Sequence, residues 1–378
     1  MSGYRLDNSR TRRGQVLALL SLLMLMPMAC AAPRGRAPVA LRQPNVMAAQ
    51  GAPDLEIVIY GDVLESLEPP PRHDRLHEFL YGPEPDAALP LLRHPQGLLV
   101  HGGQVFVGDQ GFPDVLRIDP VGGTVRRWTD RPSRPACPVD LAGDGAGRVI
   151  VADTTLRAVL IYGPDGRVET TLYGPGVEEA AAATWRPTAV LVHEDVLFIA
   201  DGLLPGVHRY ELAAGAWMSP VPVSPTTPAM VGPTGLAMTP DGVLLVADSI
   251  SGVVHRIGRD GQPMRPLGVR GRGFGEFVRP MHVATTPAGW IVVTDAARQT
   301  VQVYAADGRC VVEIGRQRGG FRGFTLPLGV TGADSLAASV AQLGWPAVDG
   351  AGEELLLVSD ALGLESLTLI GLRRKGSP

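Results

Sequence analysis

Six aspartates recur down this chain, each closing a short apolar run: Asp109, Asp153, Asp201, Asp248, Asp295 and Asp360. The intervals are 44, 48, 47, 47 and 65 residues. A period in the forties marks a chain built from successive copies of one small unit. A unit of short strands cannot bury both faces of its own sheet, so neighbouring units must cover it. Each marker carboxylate ends a strand and can accept hydrogen bonds from the N–H groups of the next turn. The six acids therefore read as parts of the repeat rather than as a metal array.

The units align from end to end. Each opens with Pro-x-small-aliphatic, as in Pro95-Gln96-Gly97-Leu98, Pro138-Val139-Asp140-Leu141 and Pro280-Met281-His282-Val283. A turn leads to the strand that ends in the marker Asp, as in Val149-Ile150-Val151-Ala152-Asp153. A third strand, an Asp-Gly turn (Asp165-Gly166, Asp260-Gly261, Asp307-Gly308) and a fourth strand follow. Asp-Gly between strand patterns is a strong hairpin signal. Four short antiparallel strands repeated radially predict an all-β fold, a six-bladed β-propeller with four-stranded blades.

The sixth unit ends at Leu367–Ile370 with no fourth strand, and Ile57–Gly61 matches fourth-strand ends elsewhere. An N-terminal strand is thus expected to complete the last blade and remove an open edge. The long sixth interval holds 18 extra residues, which fall after Val330, with a short helix expected over Ala333–Leu343. The domain reading is residues 1–30 export signal, 31–53 linker, 54–372 propeller and 373–378 basic tail.

The signal rests on a basic segment (Arg5, Arg10, Arg12, Arg13) followed by the apolar run Val16–Met26, which is too short to span a bilayer as a helix. Two processing readings compete. Ala29-Cys30-Ala31 fits an ordinary small-residue cleavage site, whereas Met28-Ala29-Cys30 resembles a lipobox that makes Cys30 a lipidated N-terminus. Removing residues 1–29, with four Arg and one Asp, leaves 30 basic against 37 acidic residues. That balance and export both argue against nucleic-acid binding. The remaining cysteines, Cys137 and Cys310, fall in different repeats, so no disulfide between them is expected, and no C-x-x-C pair exists.

The opening Pro-x-Gly, the V-x-V-A-D-type strand and the Gly-Phe-x-x-Phe links (Gly273-Phe274…Phe277, Gly320-Phe321…Phe324) resemble the NHL-repeat family of six-bladed propellers over about residues 55–370. The resemblance implies fold, not activity, because that family contains binding platforms, sensor domains and a few enzymes. Two enzyme groups share the architecture. A peptidyl-amide-forming lyase needs zinc held by histidines from separate blades, and here only His282 has an inner-strand position. A gluconolactonase-like site needs an inner-strand Asn, and the only asparagines are Asn8 and Asn45.

The third residue of each blade opening should face the central channel: Gly97, Asp140, Ala189, Gly235, His282 and Gly329. Only Asp140 and His282 carry chemistry, from blades two and five, which oppose each other in a six-bladed ring. They are the channel candidates, whether as a polar lining or as ligands of a divalent metal in a hydrolase or lyase; no cofactor is otherwise predicted. Of the eight histidines, only His73 and His77 are spaced to share one helix face. Arg270 and Arg272 in one inter-blade link, and Arg316, Arg318 and Arg322 in the next, make a basic, flexible rim suited to carboxylate or phosphate. The sequence thus predicts an exported, lipid-anchored, monomeric scaffold whose partner is an envelope protein or an extended anionic ligand.

Overall fold

The computed structural model describes residues 45–49, 51–66, 92–176, 184–222, 229–315, 323–337, 353–363 and 366–374. The export signal, Cys30, His73, His77, Arg316, Arg318 and Arg322 lie outside the described residues. The first two strands are β1 (Asn45–Ala49) and β2 (Ala52–Asp62). Blade one follows as β3 (Pro95–His101), β4 (Gln104–Asp109), β5 (Asp114–Asp119) and β6 (Thr124–Arg127). Blade two is β7 (Pro138–Gly143), β8 (Val149–Asp153), β9 (Ala158–Tyr162) and β10 (Val168–Leu172). Blade three is β11 (Pro187–His193), β12 (Val196–Asp201), β13 (Gly206–Glu211) and β14 (Ala216–Met218). Blade four is β15 (Pro233–Met238), β16 (Leu244–Asp248), β17 (Val253–Ile257) and β18 (Pro263–Leu267). Blade five is β19 (Pro280–Thr285), β20 (Ile291–Asp295), β21 (Thr300–Tyr304) and β22 (Cys310–Ile314). Blade six takes β23 (Pro327–Gly332), β24 (Glu353–Asp360) and β25 (Leu367–Arg374), then β2 and β1. The strands of a blade are called A to D from the axis outward.

Side-chain alternation explains why these units pack as blades. Val149 and Val151 of β8 join Phe106 and Val115 of blade one, while Ile150 and Ala152 join Val190 and Leu197 of blade three. A period of two sends one set to each neighbour. Each of the six gaps between blades accordingly has its own apolar cluster, including the sixth, where Leu355, Leu357 and Leu369 meet Leu98, Val105 and Val107. Near the axis, hydroxyls tie four of the six blades to the next. Thr188 donates to the Pro233 carbonyl (2.7 Å), Thr234 to Pro280 (3.4 Å), Thr294 to Leu328 (2.7 Å) and Ser359 to Gln96 (3.0 Å). The last of these bonds crosses the seam where blade six meets blade one.

Ring closure is as the sequence predicts, since β2 pairs antiparallel with β25 from Leu55↔Arg374 to Asp62↔Thr368. Three boundaries differ. The tether reading of residues 31–53 fails from Asn45 onward, because Asn45–Ala49 adds a fifth strand to blade six. Its composition hides this: it is a short edge strand with a bulge at Ala48/Ala49 and no apolar alternation. The turn after it is fixed to blade five by the Gly51 N–H donating to the Val311 carbonyl at 2.7 Å. Arg373 and Arg374, read as basic tail, instead end β25. Arg373 pairs with Glu56 at 2.9 Å, and Arg374 lies over the Trp290 ring. In the 18-residue insertion, the described part of the expected helix is a 3-10 turn at Asp334–Leu336.

Candidate functional site

The channel is built by close approach of the inner strands. A Cβ on Gly97 would lie 2.8 Å from Asp140 Cα, and one on Gly235 would lie 2.7 Å from His282 Cα. Real Cβ atoms do not approach backbone that closely, so glycine at these two positions lets blades one and two, and blades four and five, close up at the axis. The two candidates that sequence assigned to the channel then meet. His282 Nε2 lies 3.1 Å from Asp140 Oδ1, joining blades two and five across the ring. The Asp140 side chain is 1% exposed and that of His282 is 14% exposed.

The pair is embedded in backbone hydrogen bonds. Asp140 Oδ1 also accepts the Leu141 N–H, and Oδ2 accepts the Val190 N–H of blade three, each at 2.9 Å. The His282 N–H donates to Thr294 Oγ1 at 3.0 Å. Burial works against a charged imidazole, but the Asp140 carboxylate outweighs it by charge and hydrogen bond, so the His282 pKa is raised above the ordinary histidine value. Asp140 and His282 supply two donors to a metal. Among the described residues no group of three or more His, Cys, Asp or Glu side chains gathers at one point. Both Asp140 oxygens already have partners, so this arrangement fits a cross-ring bridge better than a metal centre.

The marker aspartates are buried and accept backbone N–H groups from two directions. Asp248 accepts from Val231 and Gly232, just before blade four opens, and from Ile250 and Ser251 in the B–C turn. Asp295 does the same for Val278, Arg279, Ala297 and Arg298. Each carboxylate thus clamps its B–C turn to the entry of its own blade. At Asp248, burial alone would raise the pKa, but His255 at 3.1 Å and the turn N–H groups lower it well below the usual carboxylate range.

These clamps hold up a surface that sequence reasoning missed. Among the described residues, twelve large apolar side chains are exposed, and seven lie on the B–C turns or at the ends of the links beside them: Leu156, Leu203, Leu204, Val231, Ile250, Val269 and Leu362. Single exposed apolar residues are ordinary. Most of the exposed apolar side chains thus lie on one side of the ring. The missed signal was present in the sequence, because the second or third residue after a marker Asp is large and apolar in most units.

Arg270 and Arg272 are exposed on this face. The link that carries them is a built loop rather than the flexible one expected. Phe277 N–H donates to the Val269 carbonyl (2.9 Å), Gly271 N–H to the Phe277 carbonyl (2.8 Å) and Arg270 Nη1 to the Ile250 carbonyl (2.6 Å). Arg298, paired with Glu313 at 2.7 Å, reaches back to the Glu276 carbonyl at 2.6 Å. Glycine-rich sequence looked mobile because these hydrogen bonds come from distant residues.

Two further features went unread in the sequence. Asp114, at the start of β5, is buried beside Thr129 and lies 3.2 Å from Arg134; burial raises its pKa. Between blades three and four a cavity of about 350 Å³ opens, with Phe198, Val221 and Leu244 among its walls and Glu194 and Arg259 at its mouth. Glu194 (φ 49°) and Asp195 (φ 61°) occupy the left-handed region there, where blade one uses Gly102 and Gly103.

No protein-family model and no curated protein matches the sequence. Solved structures do match the fold. A structural-genomics protein of unknown function from Bacteroides thetaiotaomicron is 14% identical, with TM-score 0.58 over 84% of this chain and 76% of that one. A gluconolactonase from Xanthomonas campestris is 15% identical, with TM-score 0.54 over 90% and 99%. Virginiamycin B lyase from Staphylococcus aureus is 13% identical, with TM-score 0.51 over 88% and 94%. At these identities the likeness is one of fold: the protein is a six-bladed β-propeller.

Proposed function

We propose that the protein is an exported, lipid-anchored propeller of the NHL-repeat type that serves as a binding scaffold, presenting its B–C face to a partner. The observation that carries this reading is the gathering of exposed apolar side chains on turns held rigid by buried carboxylates. A pre-formed surface loses little conformational freedom on binding. Exposed arginines among the apolar groups suit an envelope protein or an extended anionic ligand. The export signal and the lipidation of Cys30 come from the sequence pattern, and the repeat motifs support the NHL type.

A second reading is a metal-dependent hydrolase or lyase using the channel, favoured by the fold shared with a gluconolactonase and virginiamycin B lyase. The hydrogen bonds that both Asp140 oxygens already accept weigh against it, because they hold the carboxylate to the backbone and to His282, and among the described residues no third ligand gathers there.

The test is fatty-acid labelling and fractionation in the native host. Label on the wild-type chain, none on Cys30→Ser, and recovery in the membrane fraction support the reading. An unlabelled chain left in the cytoplasm overturns it.

A further inference from the structure

The repeat gives the wall residues of the cavity between blades three and four their counterparts between blades one and two. Val221 corresponds to Trp128. Each donates its N–H at 2.9 Å to a C-strand carbonyl, that of Val207 or Val115. Those two residues in turn pair with the one just before the marker Asp. Phe198 corresponds to Phe106, three positions before that Asp. Ile257, which pairs with Leu244, corresponds to Tyr162, which pairs with Val149.

The two gaps are filled differently. Between blades one and two, Phe106, Trp128 and Tyr162 pack ring against ring, with centroids 5.1 and 5.5 Å apart. Between blades three and four, Val221 stands in place of the indole and Ile257 in place of the phenol. Blades three and five also keep a tyrosine at the Ile257 position, Tyr210 and Tyr304, so blade four departs from its neighbours. Phe106 is buried among its partners, whereas Phe198 is left half-buried. The space opened is the cavity of about 350 Å³. That is the low end of small-ligand pockets and has room for one or two rings.

We infer that this cavity is a binding site for a small aromatic carboxylate, whose ring takes the place that Trp128 holds between blades one and two and whose carboxylate meets Arg209. The inference does not rest on the scaffold reading, since the mouth lies among the A–B and C–D turns, away from the B–C face.

Shape selects the ring, and charge selects the carboxylate. Arg209 sits opposite Phe198 in the strand pairing, so both side chains leave the same face of the sheet. Its Nε donates to the Ser219 carbonyl at 2.7 Å, which holds the guanidinium in place, and among the described residues it has no acidic partner. The planar fork of arginine matches a carboxylate. The other charged groups at the mouth are Glu194, 3.6 Å from Arg259 and 3.8 Å from His193, and Asp260 on the C–D turn. Both acids are exposed, whereas Arg209 is half-buried, where solvent screens its charge less. Arg117 sits opposite Phe106 in the same way, but there Trp128 and Tyr162 already fill the gap.

The test is calorimetric titration of the purified full chain with indole-3-acetate, and with tryptamine, which carries an ammonium on the same ring system. Indole-3-acetate should bind one to one with a Kd near or below about 1 mM, as suits a ligand of its size. Tryptamine should bind at least about tenfold more weakly. Arg209→Met should weaken indole-3-acetate by at least about tenfold, and Arg117→Met should leave it unchanged. Val221→Trp with Ile257→Tyr rebuilds the packing of the first gap, so it should abolish binding and melt at or above the wild-type temperature. Absent binding, binding that survives in the filled variant, or tryptamine binding as tightly as the acid would overturn the inference. So would a filled variant that melts well below wild type, because the gap then has no room for the rings. None of these results bears on Cys30 labelling, which tests the scaffold reading separately.

Discussion

His282 Nε2 and Asp140 Oδ1 are 3.1 Å apart, although 142 positions of chain and the full width of the ring lie between their blades. Blades two and five are not neighbours in the ring, so the pair braces the assembly where hydroxyl and strand contacts between adjacent blades cannot. It also sets a pH dependence. A histidine whose folded pKa is raised stabilises the fold fully below its ordinary value, about 6.5, and that stabilisation is lost as pH rises through the folded value. Removing one partner of a buried pair costs about 3–5 kcal/mol. His282→Ala should therefore lose stability most at acidic pH, with the deficit shrinking in alkali. Urea unfolding of both proteins across that range checks this, and a deficit independent of pH would refute it.

Glycine at the axis is a packing requirement. Gly235→Ala places a methyl group 2.7 Å from His282 Cα and 3.0 Å from the Met281 carbonyl oxygen. Both neighbours are backbone, so the strands must part. A loss of about 1–3 kcal/mol is expected. Gly145→Ala, with open space around it, should be neutral in the same thermal melts.

The marker aspartates should be among the costliest single sites. Asp295→Ala leaves four buried or half-buried N–H groups without their acceptor, for an expected loss of at least about 3 kcal/mol. Asp119→Ala, which frees one exposed N–H, should cost well under 1 kcal/mol by the same reckoning. At Asp248 the lowered pKa means stability is complete above the ordinary carboxylate value and is lost as pH falls. Asp248→Asn should accordingly flatten the acid limb of the stability profile.

Ring closure can be separated from edge covering. Deleting residues up to 50 removes β1 and leaves β2 paired with β25. That variant should melt cooperatively at a slightly lower temperature. Deleting through Asp62 removes the fourth strand of blade six, exposes the edge of β25 and should give an aggregating chain. Light scattering during the melts distinguishes the two.

The fold was legible because its signals are local and repeated. The marker Asp, the opening Pro and the Asp-Gly turns each report a constraint within one unit, and Gly166, Gly261 and Gly308 all take the positive φ those turns demand. The channel pair was legible in part, since equal repeat positions place Asp140 and His282 on facing blades. Their direct contact depends on how narrow the ring is, which Gly97 and Gly235 set through contacts with other blades. β1 was missed because a five-residue edge strand pairs on one side and lacks alternation. The apolar face was missed because exposure belongs to the assembled ring. Leu156 and Ile250 look like strand-flanking residues until the marker carboxylate turns them outward.

The measurement that bears most directly on the scaffold account is photo-cross-linking within the native envelope, from a photoreactive residue placed in turn at Leu204, Ile250 and Val121. The account predicts adducts, to protein or lipid, from Leu204 and Ile250 on the B–C face and none from Val121. Adducts from Val121 with none from Leu204 or Ile250 would contradict it.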